Sequence, residues 1–186
     1  MTDIVVTSSS QVAAAMGEAV DAGRRWQVAG AVVEDPGAVT LTLAGRLAEV
    51  TVVGDGLVEV GGGVTLASLS QYVQSQLGYA PGWPLAGGVT VAGALVGSAD
   101  APPAVSGIVS AMSNAVVEVE VVRSSTRAAE IWDREHLWPT TFDVGLPDDG
   151  VVVAVTISVV AAASAVAAIR SRGPGRAPRP GDVEGG

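Results

Sequence analysis

The chain has 186 residues, 48% hydrophobic and 16% charged, with 24 Gly and 10 Pro; this suffices for the core of one domain or a small two-lobed one and excludes wholesale disorder. With no Cys, no Lys and a single His, His136, it excludes disulfides, thiol nucleophiles, iron–sulfur clusters, lysine Schiff bases, Walker-type lysines and multi-histidine metal sites. A formal net charge of -9 argues against nucleic acid or an anionic membrane surface as partner, although the last 17 residues reverse the sign with four Arg and two acids.

Ile4 to Val6 reads as a short apolar strand. Ser8 is placed to cap a helix, with Gln11 three residues on as its reciprocal partner. Val12, Ala15, Met16 and Ala19 then recur at helical spacing, and Gly23 stops the run. Trp26 to Ala29 is a strand, followed by a loop from Gly30 to Gly37 that carries Glu34, Asp35 and Pro36. Val39 to Leu43, Glu49 to Val53 and Leu57 to Val60 are strands, the last two joined by a Gly54-Asp55-Gly56 turn. Leu66, Leu69, Val73 and Leu77 line one face of a second helix that Gly78 closes.

The texture then changes. Pro81 to Gly107 is rich in Gly, Pro and Ala; the embedded Val89-Thr90-Val91 and Ala94-Leu95-Val96 favour ordered loops over a linker. Val116 to Val122 is a strand with Glu118 and Glu120 on its wet face, and Arg127 to Trp132 is another. Gly150 to Ile169 is twenty residues without a charge, the length of a membrane span, with Arg170 and Arg172 beyond it. Its first half alternates instead: Val153, Val155, Ile157 and Val159 share one face, with Ala154, Thr156 and Ser158 on the other. That period of two predicts a strand over Val151 to Val160, and a tail anchor is the lesser alternative. A short Ala-rich helix and a disordered Arg/Pro/Gly tail are expected over 161–186. Met1 to Ser10 has no positive region followed by a long apolar stretch, so a cytoplasmic location is expected.

Several motifs admit two uses. Gly61-Gly62-Gly63 after a strand suits a phosphate, or a strand-to-helix turn, and Gly54-Asp55-Gly56 lacks the third Gly and the helix of a dinucleotide fingerprint. His136 is either a base beside a cofactor or an exposed turn residue. Asp148-Asp149 is a cation site or a solvated turn. Of Trp26, Trp83, Trp132 and Trp138, Trp83 is best placed to stack on a ring.

The order of the pieces says more than any one of them. A helix and strand come first, then a loop and a strand ending near Arg46-Leu47. Val58-Glu59-Val60-Gly61-Gly62-Gly63-Val64-Thr65-Leu66 leads into a helix. Gly78-Tyr79-Ala80-Pro81, Pro84, Val89-Thr90-Val91-Ala92-Gly93-Ala94 and the strand Ala115 to Val122 follow. Further on, Glu135-His136-Leu137-Trp138 and Gly150-Val151-Val152 with Thr156 complete the series. Over roughly residues 3–160 this resembles the FAD-binding (PCMH-type) domain of the vanillyl-alcohol oxidase/p-cresol methylhydroxylase flavoproteins, without their substrate-cap domain.

The resemblance implies an α+β fold of two small α/β subdomains with mixed sheets flanked by helices. They would occupy 1–160, the first to about residue 61 and the second over 62–160. It implies FAD bound through Gly87, Gly88, Val89, Thr90, Gly93, Gly97 and Ser98 at the pyrophosphate, with Val151 and Val152 edging the flavin through backbone groups. Glycine lets main-chain N–H donors come close enough to replace Lys or Arg. No His stands at a covalent-attachment position, so the flavin is expected to be non-covalent, and no residue is expected to be catalytic. The implied function is that of the cofactor-holding part of an oxidase or dehydrogenase of an alcohol, sugar or hydroxy acid. A partner protein would supply the substrate cap, and a descendant that has lost FAD and serves as an interaction module is the alternative. Three departures bear on the choice. The family's first phosphate loop has a second Gly and a Ser, whereas Ala29-Gly30-Ala31-Val32-Val33-Glu34-Asp35 has neither and carries two carboxylates. Leu85-Ala86 and Asp100-Ala101 replace two further family positions.

Overall fold

The computed structural model describes residues 2–31, 35–54, 56–77, 88–96, 116–133 and 150–158. Trp83, His136, Trp138, Asp148-Asp149 and the 161–186 tail lie outside these residues.

Three strands make a small parallel sheet: β1 (Thr2–Val6), β2 (Trp26–Val28) and β3 (Val39–Leu43), in the order β1-β3-β2. Pairing runs Thr2↔Val39 to Val6↔Leu43 on one side of β3 and Trp26↔Val39 to Val28↔Leu41 on the other. Helix α1 (Ser9–Asp21) links β1 to β2 and buries Val12, Ala15, Met16 and Ala19, the residues picked out by their spacing. It packs against β1 and β3 and also against β6 and β7 of the second sheet.

The start of α1 departs from the expected reciprocal box. Ser8 does cap the helix, its Oγ accepting from the Gln11 amide at 3.3 Å. Gln11 reaches one residue further back, its Oε1 accepting from the Thr7 amide at 2.7 Å and from the Thr7 hydroxyl at 3.0 Å. The longer reach satisfies a donor that the turn out of β1 leaves open. Ser8→Ala should cost about 1 kcal/mol, lowering Tm by roughly 2–4 °C in thermal denaturation.

The second sheet is antiparallel throughout and has the order β4-β5-β8-β6-β7. Its strands are β4 (Val50–Gly54), β5 (Leu57–Gly61), β6 (Val116–Arg123), β7 (Ala128–Asp133) and β8 (Gly150–Ser158). The mixture of parallel and antiparallel pairing is thus between sheets, not within one. The chain passes from the first sheet to the second after Leu43, through a 3-10 turn at Gly45–Ala48. β4 and β5 hydrogen-bond into the second sheet, although they precede residue 62.

Strand β8 is central, flanked by β5 and β6, and this explains its composition. Val151, Val152, Val153 and Val155 are fully buried, Ile157 nearly so, while Thr156 and Ser158 are half-buried. The first nine residues of the candidate membrane span are therefore a core strand, and no helix among the described residues is long and apolar enough to cross a membrane. Glu118 and Glu120 are half-buried rather than wet, and Glu120 accepts a 2.7 Å hydrogen bond from the Ser9 hydroxyl of α1.

Helix α2 (Leu66–Leu77) follows β5 and buries Leu66, Leu69 and Val73. Thr65 caps it, its Oγ1 accepting from the Ser68 amide at 3.1 Å. The Gly-rich stretch holds a short helix, α3 (Val91–Val96), with Val91, Ala92, Ala94 and Leu95 buried.

Candidate functional site

The turn after β2 meets the start of α3, and two glycines make the meeting possible. The Ala31 amide donates to Val28 O at 3.2 Å and closes a tight turn with Gly30 at φ +74°. That conformation favours glycine. A Cβ on Gly30 would also strike the Gly88 carbonyl, and a Cβ on Gly93 would strike the Gly30 carbonyl. The two backbones are as close as main chain can come, which is why residues without side chains stand there.

Thr90 joins them. Its hydroxyl donates to Ala29 O at 3.0 Å and accepts from the Gly93 amide at 3.1 Å, and its own amide donates to Gly30 O at 3.2 Å. The other amides at the start of α3 are spent too, Val91 on Val64 O and Ala92 on Gly62 O, both at 2.8 Å. Within the described residues the main-chain donors left open at this junction are those of Gly30, Gly88 and Val89. Gly88 is exposed, has φ +91°, and has open space where a Cβ would stand; Val89 and Gly30 are half-buried.

The Gly61-Gly62-Gly63 run resolves into the structural alternative. Its three amides donate to Glu49 O, Val153 O and Leu47 O at 2.7–2.8 Å, so none is left for a phosphate. The run is a crossing point: a Cβ on Gly62 would strike the Val152 carbonyl and crowd Leu43 Cδ1 at 3.0 Å and Ala92 Cβ at 3.1 Å. β5 ends at Gly61 opposite Ala154, so Gly150, Val151 and Val152 are paired as strand only with β6. Their other main-chain edge faces Gly62 and α3.

Asp35 is not where its sequence position suggests. Asp35 forms an ion pair with Arg25 Nη2 at 2.7 Å and accepts from the Gly37 amide at 3.0 Å, and its amide donates to Gln27 Oε1 at 2.7 Å. Gln27 Nε2 in turn donates to Thr40 Oγ1 at 3.1 Å. Parallel pairing of β2 with β3 forces this arrangement. The connection leaves β2 at Gly30 and must return to the start of β3, beside Arg25. A three-residue strand at ~3.3 Å per residue separates the two ends by about 10 Å. The Asp35 carboxylate therefore sits at the end of β2 away from Gly30, with a cation against it.

Of the residues expected to hold a cofactor, Gly88, Val89, Thr90 and Gly93 come together at the Gly30 turn, and Val151 and Val152 lie in β8 beyond Gly62 and α3. Gly87, Gly97 and Ser98 lie outside the described residues, as does Glu34. Gly30 is the residue the expected set lacked. Its signal was present, a lone Gly straight after a strand, but the missing second Gly obscured it. Among the described residues no group of three or more His, Asp or Glu could hold a metal ion.

No protein-family model matches the chain, and no curated protein does. Solved structures do. Glucooligosaccharide oxidase from Acremonium strictum, which carries a 6-S-cysteinyl, 8α-N1-histidyl FAD, superposes with a TM-score of 0.57 at 15% identity over 84% of this chain. CrmK, a flavoenzyme of shunt-product recycling in caerulomycin biosynthesis, gives 0.59 at 23% identity over 83%. UDP-N-acetylenolpyruvylglucosamine reductase from Thermus caldophilus gives 0.53 at 20% identity over 94%. This chain spans 34% of each of the first two proteins and 64% of the reductase. The likeness establishes the fold: an α+β, PCMH-type FAD-binding architecture, as the order of motifs led one to expect.

Proposed function

We propose that the chain is the FAD-binding domain of an FAD-linked oxidoreductase. The observation that carries this is the junction of Gly30 with Gly88–Val89: three main-chain N–H donors without protein acceptors among the described residues, on backbone held open by glycine. Such a cradle suits a pyrophosphate, which main-chain N–H groups can hold in place of a cationic side chain. The ion pair of Asp35 with Arg25 answers the electrostatic objection for that carboxylate, since its charge is both displaced and compensated. The residues thus fit the dinucleotide. Val151 and Val152, which are paired as strand on one side only, are proposed to edge the flavin ring.

When bound, the isoalloxazine would supply the hydride-accepting chemistry, and the protein would hold and orient it. The chain has no Cys, and its one His was matched to no attachment position, so the flavin is proposed to be non-covalent. The chemistry proposed is oxidation of the CH–OH group of an alcohol, sugar or hydroxy acid. A partner polypeptide is proposed for the substrate side; the chain spans about a third of the length of the oxidases it resembles. The cytoplasm is the proposed setting.

A second reading has its own observation. Every amide of the first turn of α3 is consumed internally, as is the Thr90 hydroxyl proton. A descendant that kept the fold as an interaction module after losing FAD would look the same there. Incubation with FAD followed by gel filtration separates the two. One equivalent of FAD, seen in the visible spectrum of the eluted protein, is expected; a colourless protein would leave the second reading standing.

A further inference from the structure

An edge strand offers unpaired main chain to other polypeptides, and natural sheets blunt their edges with charge, Pro or short length. In the parallel sheet β1 carries Asp3, and β2 is three residues long with Arg25 before it. In the antiparallel sheet the outer strand β7 carries Glu130 and Asp133. The remaining edge among the described residues, β4, reads Val50-Thr51-Val52-Val53-Gly54, with neither a charge nor a Pro. It is exposed from Thr51 onward, Val52 by 66% and Val53 by 52%.

The ladder with β5 fixes which main-chain groups of β4 are open. Gly61 N donates to Glu49 O, so Glu49 and, two residues on, Thr51 turn their main-chain groups toward β5. Val50 and Val52 turn theirs outward, and the bulge at Val53 ends the regular edge. Thr51 shares a face with Glu59, while Val50 and Val52 share the opposite face with the buried Val58 and Val60.

We propose that this edge pairs with a second copy of the chain, antiparallel and about a twofold axis through Thr51. A second copy is singled out because the open stretch is its own complement. Val50 lies opposite the partner's Val52, and Val52 opposite the partner's Val50, so the outward groups of both strands meet in four hydrogen bonds. Thr51 stands opposite the partner's Thr51, a favourable cross-strand pair. The exposed Val52 side chain packs on the partner's Val50, extending the apolar row of Val58 and Val60 across the seam. Charge permits the pairing. No ionised side chain lies between Val50 and Val52. Glu59 and the partner's Glu59 stand three strand spacings apart, about 14 Å, beyond the ~8 Å Debye length at physiological salt. The seam is a few residues long, against the roughly 20–30 a side of a standard interface, so the dimer is weak.

The test is sedimentation of the full chain from about 10 μM to about 1 mM, the range in which a small interface associates. The mean mass should rise from the 18.5 kDa of one chain toward twice that. It should rise further at about 0.5 M than at about 0.05 M salt, because screening relieves repulsion between two bodies of net charge -9. Thr51→Asp sets two carboxylates opposite each other, and Val52→Pro removes an outward N–H that the ladder with β5 does not use. Each should weaken association at least tenfold while circular dichroism shows the fold unchanged. Thr51→Arg should do the same alone, yet an equimolar mixture of Thr51→Asp with Thr51→Arg should associate at least as well as the wild type. A wild-type chain that stays at the mass of one copy, species that grow past the dimer, or association that ignores these substitutions would overturn the proposal.

Discussion

Gly62→Ala should lower Tm by about 6–12 °C, the equivalent of roughly 3 kcal/mol for a domain of this size. A methyl group at this position has no room. It would strike the carbonyl oxygen of Val152 in the central strand and press on Leu43 Cδ1 and Ala92 Cβ, at 3.0 and 3.1 Å. The nearest obstacle is main chain, not the end of a flexible side chain, so relief requires β8 or the turn itself to move. Moving the turn also breaks its bonds to Val153 O and from Ala92 N, both 2.8 Å. Thermal denaturation followed by circular dichroism measures the loss. A change of less than about 2 °C would mean that the crossing is looser than described.

Gly93→Ala should be as destabilising, roughly 3 kcal/mol, and should also abolish FAD uptake by the molecules that remain folded. Its Cβ would enter the space of the Gly30 carbonyl, with the Ala31 amide only 2.8 Å away. The Gly30 turn must then retreat from α3, taking one of the open amides with it. Gly88→Ala is the matched control. The space around that Cβ is open, so the cost there comes from the φ of +91° alone. The comparison is read in Tm and in FAD retained after gel filtration. Gly93→Ala that keeps wild-type FAD binding would show that the cradle does not depend on the Gly30–Gly93 contact.

Much of the fold was legible because burial imposes a period on the sequence. Val12, Ala15, Met16 and Ala19 announced α1, and Leu66, Leu69 and Val73 announced α2; each set became a buried stripe. The strands were legible for the same reason, although in β8 the alternation holds only from Val155 to Ser158, since Ala154, expected on the other face, is buried with the valines around it. Helix α3 was less so. Its six residues are too short to display a helical period, and only their apolar character could be read. The partner of Gln11 was missed because the capping rule states a spacing, whereas the side chain had a second donor, the Thr7 amide, within reach.

The site divides along a different line. Composition showed that no Lys or Cys is at hand for an anion, so that glycine and main-chain amides, with Arg, are the groups left to hold one. It also placed Gly88, Val89, Thr90 and Gly93 in one neighbourhood, since they are close in sequence. Which donors stay free was decided by contacts far apart in the chain: Thr90 with Ala29, Gly93 with Gly30, and Gly62 with Val152 and Val153. The acidic loop shows the division most clearly. In sequence Asp35 is five residues from Gly30 and counts against a phosphate there. In the fold the parallel pairing of β2 with β3 carries the chain back along the strand and sets Asp35 against Arg25. Charge and glycine content are properties of the chain; the direction in which two strands pair is a property of the packed sheet, and it determines where a charge acts.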